Sequence, residues 1–146
     1  MRISKKAEYA LRALVAIARQ PKSWRIEELS ARERIPIKFL EQILLTLRHA
    51  GLLTSKRGVG GGYALLRPAS EISMGEVIRA LDGPLAPVAC AAVTPTEKCT
   101  CPDPHTCAIR LVMTEVRRDL TALLDQRSID DLLRLAPSPG ALAFEI

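Results

Sequence analysis

The chain has 146 residues, of which 48% are hydrophobic and 25% charged, a balance that suits one core-forming globular unit and excludes a disordered chain. Only 3% is aromatic, so aliphatic side chains must build the core, and no apolar run reaches the roughly 20 residues of a membrane helix. The net charge of +5 divides unevenly: residues 1–70 hold 14 Lys/Arg against 5 Asp/Glu, and residues 71–146 hold 7 against 11, the pattern of a polyanion-binding module joined to something else.

At the N-terminus Lys5, Lys6, Glu8 and Arg12 interrupt any apolar stretch, so no signal peptide is expected and the chain is placed in the cytoplasm. Ser4 is positioned to cap a helix over residues 5–19, with Pro21 just beyond its end. Ala7, Ala10, Leu11, Leu14, Val15 and Ala18 form its apolar stripe. A second, short helix is expected over residues 26–34. A third starts near Pro36, in its first turn, and stops at Gly51. Leu40, Ile43, Leu44 and Leu47 fall on one face of that helix at i, i+3, i+4 and i+7.

Residues 52–57 and 63–66 read as two short strands around the glycine run 58–62, a hairpin. The glycines lack the Lys-Ser/Thr ending of a phosphate-binding loop. Three short helices followed by a basic hairpin is the order of a winged helix-turn-helix, with the third helix free to enter a major groove. Ser73 and Glu76 have capping-box spacing for a fourth helix, which Asp82-Gly83-Pro84 ends. A loop rich in Pro, Thr and Cys runs to Cys107, too long to be idle in a compact domain. After it comes a long helix, on which Ile109, Met113, Val116, Leu120 and Leu123 make a heptad-like seam suited to a partner helix. Ser128 and Asp131 cap a last short helix, and residues 136–146 are expected to fray.

With the Leu40/Leu44 face turned inward, Lys38, Phe39, Glu41 and Gln42 are placed to reach base edges. Lys38 and Gln42 can donate to groove acceptors, and Glu41 can accept from a cytosine amino group or pair with a neighbouring Arg. Arg57 at the root of the wing can enter a minor groove. Arg2, Lys5, Lys6, Lys56 and Arg67 read as phosphate contacts, which position the protein without specifying sequence.

Cys90, Cys99, Cys101 and Cys107 fall within eighteen residues. Their crowding in one Pro-rich loop argues for metal or redox chemistry rather than structural disulfides. Zinc and an iron–sulfur cluster both accept four thiolates; no Cys-x-x-Cys knuckle is present, and the uneven spacing leans toward a cluster. His105 is a further possible ligand. No Ser/His/Asp grouping and no Cys-x-x-Cys on a strand–helix unit appears, so the chain is not read as an enzyme.

Several pieces, namely Met1-Arg2-Ile3-Ser4-Lys5, Phe39-Leu40-Glu41-Gln42, Arg57-Gly58, Gly60-Gly61-Gly62-Tyr63 and Gly75-Glu76-Val77-Ile78 followed by Asp82, together resemble the iron–sulfur cluster regulators of the IscR/NsrR/CymR type, the Rrf family. The resemblance spans roughly residues 1–135. It implies a homodimer joined through the long helix, with Lys38, Phe39, Glu41, Gln42, Arg57 and the wing residues Gly60 and Tyr63 at the operator DNA. It also implies Cys90, Cys101 and Cys107 as cluster ligands. Cys99 is extra to that three-cysteine pattern and is the simplest fourth ligand. Glu8, at a first-helix position from which a dimer partner can supply a ligand, is the other. At the position one turn into the long helix, where some relatives carry a ligating His, this chain has Arg110.

The expectation is therefore a mainly α protein with a small β wing: a winged helix-turn-helix domain over residues 1–82, a cluster-binding loop over 83–107, and a dimerisation helix plus short helix over 108–135. It binds double-stranded DNA, most simply as a repressor, and senses redox state, nitric oxide or iron–sulfur status through a 2Fe–2S cluster in preference to 4Fe–4S. The alternative is a winged-helix regulator without a cluster, governed by zinc, a thiol switch or a partner protein.

Overall fold

The computed structural model describes residues 2–95 and 97–136. Helix α1 (Lys5–Arg19) starts at Ser4, whose Oγ accepts the N–H of Ala7 at 3.1 Å. Its inward face carries four alanines, Ala7, Ala10, Ala13 and Ala16, between Leu11, Leu14 and Ile17, all buried. Small side chains let neighbouring helices approach closely, and α3, α4 and α6 all pack on α1.

Helices α2 (Ile26–Glu33) and α3 (Ile37–His49) are joined by a three-residue turn. Arg34 takes left-handed backbone there (φ 54°), and Ser30 holds the turn from both sides. Its carbonyl accepts from the Ile35 N–H at 3.1 Å and its Oγ donates to the Ile35 carbonyl at 2.6 Å. Pro36 stands one residue before the helix rather than in its first turn; its carbonyl accepts the N–H groups of Phe39 and Leu40. Leu40, Ile43, Leu44 and Leu47 are each fully buried, so the stripe read from spacing is the inward face of α3. Trp24, Leu29, Ile35, Leu52 and Leu53 complete the core around it.

Strands β1 (Leu53–Lys56) and β2 (Gly62–Leu65) pair antiparallel, Leu53 opposite Leu65 and Lys56 opposite Gly62. Trp24 adds an isolated bridge to β2: its N–H and carbonyl exchange hydrogen bonds with those of Tyr63, both at 2.8 Å. Gly62 sits at φ 145° with the Trp24 backbone pressed where a Cβ would be, so glycine is required for that approach.

Helix α4 (Met74–Asp82) is capped by Ser73, which accepts the Glu76 N–H at 3.1 Å. The expected reciprocal half of a capping box is absent. Glu76 turns instead to Arg67 at 2.5 Å, because a guanidinium is a stronger partner than a neutral amide. Helix α5 (Ala108–Asp125) follows the cysteine loop, and none of its residues is buried. Helix α6 (Ile129–Leu135) has the full capping box, Ser128 with Asp131, and returns to pack on α1. The Ile129 N–H bonds the Ile72 carbonyl at 2.9 Å and the Met74 N–H bonds Arg127 at 2.7 Å. Residues 137–146, most of the stretch expected to fray, lie outside the described residues. Among the described residues no helix is long and apolar enough to cross a membrane.

Candidate nucleic-acid interface and cysteine loop

With its leucine face in the core, α3 turns Lys38, Glu41, Gln42, Leu45, Arg48 and His49 to solvent. Lys38, Gln42 and His49, at i, i+4 and i+11, put neutral or cationic hydrogen-bonding groups on one outward strip, with Arg48 on its flank. Leu45 lies among them, 46% exposed, and was not singled out from sequence. It falls four residues after Glu41 and three after Gln42, so helical spacing was the available signal. An apolar side chain on such a face is suited to a thymine methyl. Arg48 reaches Ser55 Oγ at 3.0 Å, tying the end of α3 to the first wing strand. Phe39 is half-buried rather than free: its ring meets Tyr9 edge-on, centroids 5.7 Å apart, with Lys6 Nζ 5.8 Å above it. That packing fixes the N-terminal turn of α3 against α1.

The wing places Lys56, Arg57 and Gly60 in solvent, with Val59 fully exposed at its tip. Tyr63 is half-buried in β2 against the core. Arg2, ahead of α1, and Lys5 and Lys6 in its first turn are exposed. Lys5 Nζ is engaged by both oxygens of Glu8, at 3.0 and 2.8 Å. Arg67, read as a phosphate contact, is occupied by Glu76. Glu8 also faces Arg12 Nη1 at 3.9 Å. Its carboxyl is held below the usual range, chiefly by the Lys5 hydrogen bond, so it is a carboxylate at neutral pH.

The cysteines occupy the loop between α4 and α5, where Ala89–Ala91 makes a single 3-10 turn. All four are half-buried and none is in a disulfide. Three of them touch in sequence: the Cys101 N–H donates to Cys99 Sγ at 3.4 Å, and the Cys101 thiol donates to Cys107 Sγ at 3.6 Å. Cys90 lines the same cavity as Cys99. Two thiolates on one tetrahedral metal, with bonds near 2.3 Å, stand about 3.8 Å apart, so the last pair has a spacing that a shared metal would keep. Among the described residues no three His, Cys, Asp or Glu side chains converge as they would on a single ion. The contacts form a chain of sulfurs, not a ring.

Their protons are unequally held. Cys99 is pulled down, first by the Cys101 N–H and then by the Cys101 thiol. Cys107 is pulled down first by the N–H of Arg110, then by the Cys101 thiol. It is the N-cap of α5, where the helix N-terminus favours a thiolate. Cys101, which donates toward sulfur on both sides, is pushed up to about 12, first by Cys99 and then by Cys107. Asp103 shapes the approach to Cys107 by accepting from the His105 N–H at 2.9 Å and Thr106 Oγ1 at 2.8 Å. His105 itself is exposed. Four free thiols in one loop, two of them biased toward thiolate, are a donor set whose chemistry suits a soft metal or an iron–sulfur cluster. Cys99 stands inside that chain. Glu8 is engaged by Lys5 and Arg12 on α1.

Comparison with known proteins places these features together. Residues 3–135 match the model of the Rrf2 family, described as an iron-dependent transcriptional regulator. The chain is 39% identical over 149 aligned positions to an rrf2-like HTH-type transcriptional regulator of Rhodobacter capsulatus, covering 98% of this chain and 99% of that one. It is 31% identical over 135 positions to the HTH-type transcriptional regulator IscR of Klebsiella pneumoniae, covering 91% and 80%. Its fold is similar to that of CymR, the global cysteine regulator of B. subtilis, with a TM-score of 0.76 and 28% identity over 94% of this chain and 99% of that one.

Proposed function

The chain belongs to the Rrf2 family of transcription regulators, and from that premise we propose that it is a homodimeric, sequence-specific repressor whose cysteine loop holds an iron–sulfur cluster, 2Fe–2S in preference to 4Fe–4S. Family membership makes it a DNA-binding regulator with IscR and CymR relatives, not an enzyme. The finer reading is carried by four free thiols in the single loop joining α4 to α5, three of them in contact and the fourth, Cys90, lining the same cavity as Cys99. Contacts that run pairwise along the loop favour a group with more than one metal atom over a single zinc ion.

Residues 1–82 form the DNA-binding unit in this reading, residues 83–107 the sensing loop, and residues 108–135 the dimer helix with α6. Lys38, Gln42 and Leu45 address bases, Glu41 accepts from cytosine, and Arg57 with the wing tip around Gly60 follows the minor groove. Phe39 and Tyr63 brace these elements from below. Arg2 and Lys6 take phosphates, and so does Lys5 when Glu8 releases it.

Dimerisation is supported by α5, on which Ile109, Val112, Val116 and Leu123 are 66%, 54%, 44% and 53% exposed. The strip is turned slightly from the expected seam: Val112 faces out, while Met113 and Leu120 are half-buried at its edge. Such a strip pairs isologously with its own copy. Cys90, Cys101 and Cys107 with Cys99 are the proposed ligands, and Glu8 of a partner copy is the other candidate for the fourth place. A bound cluster would supply a group that gains or loses an electron or is lost on oxidation. The loop's own residues then decide how α5 leaves α4, and with it the separation of two recognition helices, which must match half-sites about 34 Å apart.

Anaerobic purification with iron, sulfide and zinc counts tests the cofactor, and selection of bound duplexes from random DNA tests the reading face. Iron and sulfide in equal amounts, with a two-fold symmetric selected site, are expected. Stoichiometric zinc without sulfide would favour the alternative regulator.

A further inference from the structure

We propose that Arg110 is a positioning residue that staples the cysteine loop shut and so presets its sulfur donors. Its side chain is half-buried one turn into α5. Nε donates to the carbonyl of Cys90 at 3.2 Å and Nη1 donates to the carbonyl of Pro104, also at 3.2 Å. Those acceptors sit at opposite ends of the loop. The other hydrogen bonds described there are local: the turn over residues 88–92, the Cys99–Cys101–Cys107 contacts and the Asp103 turn. Among the hydrogen bonds of the described residues, those of Arg110 alone tie the first half of the loop to the second.

The geometry requires a fork. Two N–H vectors leave one rigid plane toward two carbonyls, which a guanidinium can do and an ammonium on a flexible stem cannot reproduce. The same side chain lines a cavity of about 380 Å³ together with Cys90, Cys99, Lys98 and His105, so the staple forms one wall of the space beside the thiols. Its fixed positive charge offsets some of the mutual repulsion that thiolates acquire on losing their protons. An arginine cannot ligate metal; at this position it closes the loop through backbone oxygens and leaves coordination to the cysteines. Loop closure needs no bound metal. Its consequence for ligation rests on the cluster reading proposed above.

The test uses full-length, reduced, metal-free protein with Arg110→Ala and Arg110→Lys variants. Amide exchange over residues 88–104 reads closure, and the thiolate-to-cobalt absorption of a cobalt(II) titration reads the donor set. In Arg110→Ala, exchange over the loop should rise at least about tenfold and cobalt(II) affinity fall about tenfold, as expected for losing charge-assisted hydrogen bonds. Protection in α1–α4 should be unchanged, which separates this from misfolding. Arg110→Lys keeps the charge and should recover less than half of either effect. Unchanged loop exchange, unchanged cobalt(II) affinity, or full recovery by lysine overturns the proposal. Absence of iron and sulfide from the purified protein, with the exchange effect intact, would instead count against the cluster and leave the staple standing.

Discussion

Ser4 and Asp82, 78 residues apart, meet at the start of α1: one Asp82 oxygen accepts the Ser4 N–H at 2.8 Å and the other accepts its hydroxyl. Asp82 is the last residue of α4 and the one before the cysteine loop. Ser4 caps the helix whose first turn carries Lys5 and Lys6, and Lys6 lies over Phe39 at the head of α3. The contact therefore joins the residue before the loop to the head of α3 through a carboxylate, a helix cap and a packed aromatic pair.

Removing the carboxylate should loosen both ends. Asp82→Ala leaves the Ser4 cap unsupported and is expected to lower unfolding free energy by up to about 2 kcal/mol, the upper end for losing a helix cap outright, measured by urea denaturation. Operator affinity should fall beyond what Ser4→Ala alone produces, since Ser4→Ala keeps the Asp82 bond to the backbone N–H. Equal effects of the two substitutions on DNA binding would contradict the connection.

The outward strip of α5 makes a prediction about assembly. Val112→Asp puts a carboxylate in the middle of the proposed apolar interface, so sedimentation should show a monomer at concentrations where the parent is a dimer. Arg118→Asp, on an exposed flank beside Asp119, should leave the dimer intact. Dissociation by the flank substitution and not by Val112→Asp would place the interface elsewhere.

Base reading and phosphate binding should separate on α3 and α1. Gln42→Ala is expected to cost about 1–3 kcal/mol at one position of the selected site and little elsewhere. Lys6→Ala should weaken all duplexes alike and reduce the slope of log affinity against log salt by about 0.9 if it neutralises one phosphate. Fluorescence anisotropy at several salt concentrations distinguishes them.

The cap of α6 has a pH signature. Asp131 is held below the ordinary carboxylate range, first by the Ser128 N–H and then by its hydroxyl. The folded state thus favours the ionised form, so the cap's contribution is present above the unfolded value near ~3.9 and is lost as pH falls through the lower folded value. The stability gap between the parent chain and Asp131→Ala should be widest near neutrality and close in acid. A gap independent of pH would contradict this.

Much of the fold was legible because it is encoded locally. Leu40, Ile43, Leu44 and Leu47 announce their face by spacing, and Ser4, Ser73 and Ser128 announce helix starts by chemistry; the structure has all of these in place. What sequence reading missed depends on partners distant along the chain. The Trp24–Tyr63 bridge pairs backbone with backbone and leaves no residue pattern. Glu76 looked like half of a capping box until Arg67 folded beside it. Val112 is exposed where Met113 is half-buried, a small rotation of the outer strip that a heptad count cannot sense. In the loop, cysteine spacing signalled metal chemistry, but Arg110 could be dismissed as a non-ligand only until its two carbonyl acceptors were known.

The proposed control of α3 on DNA by the state of the cysteine loop is tested most directly by the affinity of anaerobically purified protein for its selected duplex, at fixed salt, before and after treatment with an iron chelator. A change of at least about tenfold, abolished in Cys107→Ala, is predicted; this is the size of coupling expected between linked sites. Identical affinities with the iron fully removed would contradict the account.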